Sequence, residues 1–171
     1  MRVVVCTLLV VLLAGVALTP AFAQDNMGYA PMAKAKFGNL PVLPRCGSIA
    51  VASGDPNKEA AVILAKVATG CVIPWHWHSA NEQLMGVSGT GKAAMKDGKP
   101  VTVHGGDYLS LPAKQAHQFT CLSACTLFIV SDAPFDIHYV DAKGDEITPE
   151  QALKSGKKAG AHKKPAAKQG D

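Results

Sequence analysis

Residues 70–89 read GCVIPWHWHSANEQLMGVSG, and this stretch decides the fold. Pro74 restricts the residue before it to extended backbone, so the segment predicts a strand. Alternate residues of a strand share a face, so His76 and His78 should project together, about 7 Å apart, with the two tryptophans opposite. Glu82 follows a short turn and could swing back as an oxygen ligand. The stretch therefore offers two imidazoles and one carboxylate to a metal ion.

The chain on either side of this stretch consists of short apolar or alternating runs, separated by Gly, Pro, Asp and Asn. No helical period links them between Gly47 and Val140, and this spacing is typical of an antiparallel sandwich or barrel. Asp97-Gly98 predicts a hairpin with a type I′ turn. The predicted strands are Ile49–Ala52, Ala60–Val67, Trp75–His78, Glu82–Val87, Lys92–Lys96, Pro100–His104, Tyr108–Leu111, His117–Cys121, Thr126–Ser131 and Phe135–Val140.

One short helix is predicted near the end of the chain. Thr148 is its N-cap, Pro149 suits the first helical position, and Gln151 can complete a capping box. Gly156 is a natural stop.

A second informative segment, residues 106–117, reads GDYLSLPAKQAH. Together the two segments resemble the paired motifs of the cupin superfamily, G-x5-H-x-H-x3-E-x6-G and G-x5-P-x-G-x2-H-x3-N. The resemblance covers residues 62–131. It rests on Gly70, His76, His78, Glu82 and Gly89 in the first motif and on Gly106, Pro112 and His117 in the second. Lys114 stands in place of the second motif's glycine, and Cys121 in place of its asparagine.

This resemblance implies an all-β fold, a single cupin barrel of the double-stranded β-helix or jelly-roll type. The barrel would bring His117 opposite His76 and His78, with Glu82 as fourth ligand. Three imidazoles and one carboxylate suit one divalent transition metal, namely Fe, Mn, Ni or Zn. An octahedral ion would keep two positions open, whereas a tetrahedral zinc would be saturated by the four protein ligands.

Regular pleating also predicts which residues line the cavity beside the metal. Leu84 shares a face with Glu82, and Phe119 and Cys121 share a face with His117, so the lining should be apolar. No second carboxylate, arginine or lysine must face the metal, although loop residues could reach the mouth, namely Asn81, Gln83 and Gln115. Three other histidines carry little information: His104 beside a glycine turn, His138 in a terminal strand and His162 in the tail.

Four cysteines remain after residue 23, and an even number in an exported chain indicates disulfides. Cys121 and Cys125 flank a hairpin-like loop, which favours a bond between them and leaves Cys46 with Cys71. The alternatives are small buried hydrophobic residues and, for Cys121, a soft extra metal ligand.

The N-terminus has the pattern of a secretory signal peptide, with Arg2, an apolar run over 3–18 and Ala21-Phe22-Ala23. We expect cleavage after Ala23 and export to the periplasm or medium, with no membrane span left. An uncleaved anchor is the alternative.

The remaining chain divides into an extension over 24–46, a barrel over 47–153 and a disordered Lys-rich tail over 154–171. Residues 24–153 hold ten basic and twelve acidic side chains, which argues against a nucleic-acid-binding domain. The partner we expect is a small molecule, and a homodimer is compatible with the sequence.

Two functions fit these features. The first is a small mononuclear metal-dependent enzyme, dioxygenase-like or isomerase-like, an oxidoreductase or isomerase of unknown substrate. The alternative is a non-catalytic module that binds or senses a metal or a small ligand, because one fold hosts many activities.

Overall fold

The fold is all-β. The structure is a computed structural model, and it describes residues 28–159 of the chain. The predicted signal peptide and the tail beyond residue 159 lie outside the described residues. A 3-10 turn at Met32–Lys34 precedes the strands. These are β1 (Gly47–Ser53), β2 (Ala61–Val67), β3 (Val72–Trp77), β4 (Glu82–Ser88), β5 (Thr90–Met95), β6 (Val101–His104), β7 (Tyr108–Leu111), β8 (His117–Cys121), β9 (Cys125–Ser131), β10 (His138–Val140) and β11 (Glu146–Ile147), followed by helix α1 (Pro149–Ala159).

The strands form two antiparallel sheets that pack face to face as a jelly-roll barrel. One sheet has the order β1-β2-β9-β4-β7, and the other has the order β11-β10-β3-β8-β5-β6. Both sheets contribute inward side chains to one core, which includes Ala65, Leu84 and Leu127 from the first and Ala93 and Phe119 from the second. The non-consecutive pairing places β3 beside β8, which brings the two sequence motifs together.

The core packs closely around the Phe119 ring. A side chain on Gly91 of the neighbouring strand would place its Cβ 2.2 Å from Cζ of Phe119. Gly91 therefore leaves the space that the ring fills, and the packing at this end of the barrel depends on it.

The predicted all-β fold is confirmed, and each predicted strand agrees with an observed one to within three residues at either end. The short strand β11 was missed. The hairpin between β5 and β6 exists, but neither Asp97 nor Gly98 has a positive φ, so the type I′ prediction was wrong. Five residues separate the two strands, and such a loop needs no tight two-residue turn.

The C-terminal helix begins as predicted. The backbone N–H of Thr148 donates to Oε1 of Gln151 at 2.9 Å, and the N–H of Gln151 donates to Oγ1 of Thr148 at 3.3 Å. The predicted stop at Gly156 was wrong, because α1 continues to Ala159 and so includes the first residues of the predicted tail. A glycine inside a helix costs only about 1 kcal/mol, so it need not end the helix.

Candidate metal centre

Three of the four predicted ligands lie on strands, and the two sheets bring all four together. His76 of β3 is the direct cross-strand partner of His117 of β8. Glu82 begins β4 on the opposite sheet, and His78 follows the last residue of β3. Each of the four residues is at most 4% exposed. Their ligand atoms all lie within 4.8 Å of one another, so the group could hold a metal ion.

Local sequence explains how β3 presents its histidines. The pairing of β3 with β8 shifts register between Ile73 and His76, where Pro74 has no N–H to donate. The shift lets Ile73 and His76 both face the cavity although they are three residues apart. Trp77 points outward and stacks on His138 at 3.9 Å between ring centroids.

The turn after His78 is held by two acidic side chains from a distant loop. The N–H of Ser79 donates to Oδ1 of Asp136 at 2.7 Å. Asn81 donates to both carboxylate oxygens of Asp132, from its backbone N–H at 2.9 Å and from its side-chain amide at 2.6 Å. These contacts fix the path of the chain from His78 to Glu82.

The turn before His117 docks on the turn that follows His78. Lys114 stands where the cupin motif has glycine, and it adopts a φ of +62°, the left-handed conformation that glycine takes readily. Its N–H donates to the carbonyl oxygen of His78 at 2.8 Å, and the N–H of Ala113 donates to Oδ1 of Asn81 at 3.0 Å. The departure from the motif therefore keeps the loop shape at the expense of backbone strain.

Each histidine ring is oriented by a backbone carbonyl. Nδ1 of His76 donates to the oxygen of Pro74 at 2.7 Å, and Nδ1 of His117 donates to that of Gln115 at 3.0 Å. Nδ1 of His78 donates to the oxygen of Asp136. A carbonyl can only accept, so each neutral ring carries its proton on Nδ1 and presents the lone pair of Nε2 to the centre.

Charge in the centre follows from burial and proximity. Burial, and then the neighbouring His117 and His78, lower the pKa of His76 well below its ordinary value of 6.5. Burial opposes ionisation of Glu82, but His117 and His78 outweigh it and hold the pKa of Glu82 below its ordinary value. At neutral pH the centre therefore contains a neutral His76 and an ionised carboxylate.

The four side chains fit a cation. Nε2 of His78 and Nε2 of His117 lie 3.0 and 3.4 Å from Oε2 of Glu82. With both rings neutral and protonated only on Nδ1, lone pairs alone would face one another. The centre therefore needs positive charge there: a further proton on a ring, which is what lowers the pKa of Glu82 in the metal-free protein, or a metal ion. Among residues 28–159, Oε2 of Glu82 and Nε2 of His117 have no hydrogen-bond partner. Buried polar atoms without partners are costly, and a divalent ion would satisfy all of them.

A cavity of about 340 Å³ lies beside the centre and includes all four side chains in its wall. Leu84 and Phe119 line it. Cys121 does not, contrary to the sequence-based expectation. It shares the inward face of β8, but the cavity ends nearer His117, and the sulfur of Cys121 belongs to the packed core.

Other predicted residues lie outside this wall. Asn81, Gln83 and Gln115 are exposed and are not among the residues that line the cavity. His104 is exposed, and His138 is half-buried beside Asp136 and Glu146. His162 lies outside the described residues.

Sequence reasoning missed Asp136 and an N-terminal stretch, both of which line the cavity. Burial opposes ionisation of Asp136, but hydrogen bonds from Ser79 and His138 hold its pKa below its ordinary value. The signal available was its place just before strand β10, but nothing local indicates which way that loop folds.

The four cysteines lie in two pairs at disulfide distance. Cys46 and Cys71 have Cα atoms 5.8 Å apart, and those of Cys121 and Cys125 are 6.0 Å apart. These are the pairs that the sequence favoured. Cys121 pairs with Cys125 and lies in the packed core outside the cavity wall, so it is not placed to be an extra metal ligand.

The fold and the motif define the class of the protein. A family model described as a cupin domain matches residues 63–131. Similar solved structures include the polyketide cyclase RemF from Streptomyces resistomycificus, with a TM-score of 0.58, 16% identity, and coverage of 68% of this chain and 87% of that one. An RmlC-like cupin from Shewanella frigidimarina has a TM-score of 0.54, 14% identity, and coverage of 64% and 92%.

KdgF from a Halomonas species is a third similar structure, with a TM-score of 0.51, 14% identity, and coverage of 60% of this chain and 92% of that one. At these identities the likeness shows the fold alone. No curated protein sequence matches the chain. Residues 63–131 therefore match a cupin domain, and the fold of the described chain is that of the cupin structures it resembles.

Proposed function

We propose that this cupin holds one divalent transition metal through His76, His78, Glu82 and His117. One observation carries the proposal: three Nε2 lone pairs and a carboxylate oxygen converge on one buried point, with every Nδ1 proton already engaged by a carbonyl. Carbonyl acceptors behind ligand histidines are the usual way that proteins orient imidazoles on a metal. The ligand set suits Fe, Mn, Ni or Zn and favours none of them.

We further propose that the metal centre is catalytic, because it opens on an apolar cavity of about 340 Å³ that could take a small substrate. When bound, the ion would supply Lewis-acid or redox chemistry. The cavity wall would exclude water and orient the substrate. Apart from the four ligands, Asp136 is the one ionisable residue in this wall within the described chain.

The same wall favours a dioxygenase-like reaction over an isomerase-like one. An isomerisation needs a positioned group that exchanges a proton with the substrate near neutral pH. Both oxygens of Asp136 are engaged, by Ser79 and His138, and its pKa lies below its ordinary value, so it is poorly suited to that role. A reaction with oxygen as co-substrate requires less of the protein's own acids and bases.

Metal analysis by mass spectrometry tests the first part of this proposal, on protein prepared from its native compartment. We expect about one transition-metal ion per chain, and we expect His78→Ala to lose it. His104→Ala is the matched control, since His104 is exposed and outside the cavity. Oxygen consumption with catechols, thiols and diketones tests the second part, and no uptake with any of them would count against a dioxygenase.

A non-catalytic binding or sensing module is the second candidate. The observation in its favour is the shortage of free acids and bases around the cavity. This candidate predicts a zinc ion that does not exchange and no turnover with any substrate. Binding of azide to the Co(II)-loaded protein, followed by its visible absorption, separates the two, because catalysis at the ion needs an open position.

We also propose that the protein is exported. Two cysteine pairs at disulfide distance are compatible with an oxidising compartment. Among residues 28–159, no helix is both long and apolar enough to cross a membrane. Mass spectrometry of the mature N-terminus should find Gln24 as the first residue, and an intact Met1 would contradict cleavage.

A further inference from the structure

Residues 39–46, which we name the cover segment, lie across the metal cavity ahead of β1. The side chains of Leu40, Val42 and Leu43 form part of the same wall as the metal-binding histidines. Because Leu40 and Val42 are also 43% and 37% exposed, they lie where the cavity meets solvent. A molecule entering the cavity would therefore contact aliphatic side chains of this segment.

The cover segment is fixed at both ends and in its middle. The side-chain amide of Asn39 donates to the carbonyl oxygen of Gly47 at 2.7 Å, and Cys46 pairs with Cys71. The hydroxyl of Tyr139 donates to the carbonyl oxygen of Val42 at 2.7 Å. Tyr139 is the cross-strand partner of His76, so the segment is bound to the strands that carry the metal ligands. The cover segment is therefore a fixed part of the cavity wall.

The charged residues of the cavity wall disfavour dianionic ligands. Within the described chain, no lysine or arginine lines it, and Asp136 and Glu82 are its acidic residues. A dianion in this cavity would lose its hydration and find no cation except the metal.

We propose that the cover segment selects small, uncharged, largely apolar molecules for the metal cavity. The inference rests on the proposed metal site and names the class of substrate for it. The aliphatic side chains of Leu40 and Val42 supply the selection at the mouth, and Tyr139 holds them there.

Two ligands that would close a chelate ring of the same size on the metal test this selection. Pentane-2,4-dione enters uncharged and loses one proton on chelation, whereas malonate is a dianion with the same spacing of oxygens. Binding is followed by the visible absorption of the Co(II)-loaded protein, a readout independent of turnover. We expect the dione to perturb the spectrum at concentrations at least about tenfold lower than malonate.

Variants that add a positive charge at the mouth of the cavity test whether the selection occurs there. Val42→Lys places a cation at the mouth and should tighten malonate at least about tenfold, with less than a threefold change for the dione. Val51→Lys is the matched control, because Val51 is 49% exposed and outside this cavity. If Val42→Lys does not fold, Leu40→Lys makes the same test at a more exposed position. Tyr139→Phe, which frees the carbonyl of Val42, should reduce the preference for the dione.

Three results would overturn the inference: tighter malonate than dione in the unaltered protein, no effect of either lysine at the mouth, or an equal effect of Val51→Lys. Calorimetric titration with Co(II) alone separates this inference from the function on which it rests. Metal binding without the selectivity overturns the selection alone. Absence of metal binding overturns both.

Discussion

Oε2 of Glu82 lies 3.4 Å from Nε2 of His117, and neither atom has a hydrogen-bond partner among residues 28–159. Because the His117 ring carries its proton on Nδ1, toward the carbonyl of Gln115, this contact joins two lone pairs. Such a contact is unfavourable by itself and favourable around a cation. The relationship gives the metal proposal a direct test on Glu82.

Replacing Glu82 with glutamine should lower metal affinity at least about 100-fold, since even outer contacts of a metal site contribute 10- to 100-fold. The variant keeps the shape of the side chain and removes its charge. Calorimetry with Co(II) or Zn(II) measures the change. Glu59→Gln is the control, because Glu59 is exposed and outside the cavity. Equal affinity in both variants would contradict a metal role for Glu82.

The metal-free protein should lose stability as the pH falls below 6.5. Burial and the neighbouring imidazoles lower the pKa of His76, so the unfolded chain binds a proton below 6.5 that the folded chain refuses. The free energy of unfolding should therefore drop by up to about 1.4 kcal/mol per pH unit from this group. The lowered pKa of Glu82 adds a second loss below its ordinary value of 4.5.

Urea unfolding of the metal-stripped protein at pH 7, 6 and 5 measures this slope. His76→Gln should flatten it above pH 5, whereas His104→Gln should leave it unchanged, because His104 is exposed. A free energy of unfolding that stays constant from pH 7 to pH 5 would show that His76 is not held neutral by the fold.

Much of the centre could be predicted from the sequence because its spacing is local. His76, His78 and Glu82 lie within seven residues, and strand geometry alone brings the two histidines to one face. His117 required the pairing of β3 with β8, which the motif implied and the periodicity did not.

The rest depends on long-range contacts. Asp136 orients His78 from 58 residues away, through a backbone carbonyl that any residue type carries. The cover segment has no periodic hydrophobic pattern that would predict its position. That position is set by the hydrogen bond from Tyr139 and by the pairing of Cys46 with Cys71. Alternation assigned Cys121 to the inward face, but it cannot tell where along that face a cavity ends.

Lys114→Gly should stabilise the fold and leave metal affinity within about twofold. The left-handed φ of +62° costs a lysine roughly 1–2 kcal/mol, and the greater freedom of glycine in the unfolded chain offsets part of this. We expect a net gain of about 0.5–1 kcal/mol in urea unfolding. Lys92→Gly is the matched control. Lys92 lies in strand β5, where glycine should cost about 1 kcal/mol.

The cysteine pairs should contribute unequally to stability. Cys46 and Cys71 are 25 residues apart and Cys121 and Cys125 are 4 apart, so a bond in the first pair closes the longer loop of the unfolded chain. Chain entropy gives about 3.5 kcal/mol for the first and about 2 kcal/mol for the second.

Thermal unfolding of the two double-alanine variants, with and without reductant, tests this order. Under reducing conditions each variant differs from the unaltered protein only through packing, so the change on adding reductant isolates the bonds. An equal loss in both variants would contradict the loop-length account, and four reactive thiols in the denatured, unreduced protein would exclude both bonds.

The fit of Phe119 against Gly91 links core packing to the cavity. Gly91→Ala would place a methyl group 2.2 Å from the ring, which must then move toward the cavity that it lines. We expect a loss of about 1–3 kcal/mol in unfolding free energy, the usual cost of an overpacked core. The displaced ring lies two residues from His117 on the same strand face, so chelators should also bind more weakly to the metal-loaded protein.

Replacing the ring with a smaller side chain should restore both the unfolding free energy and chelator binding. The double variant Gly91→Ala/Phe119→Leu lacks the ring atoms that the new methyl group meets. Gly38→Ala is the control, since a Cβ at Gly38 would meet nothing within 4 Å. If Gly91→Ala destabilises the fold and the added Phe119→Leu does not recover stability, the cost lies in the backbone of β5. The ring would then not be what couples that strand to the metal cavity.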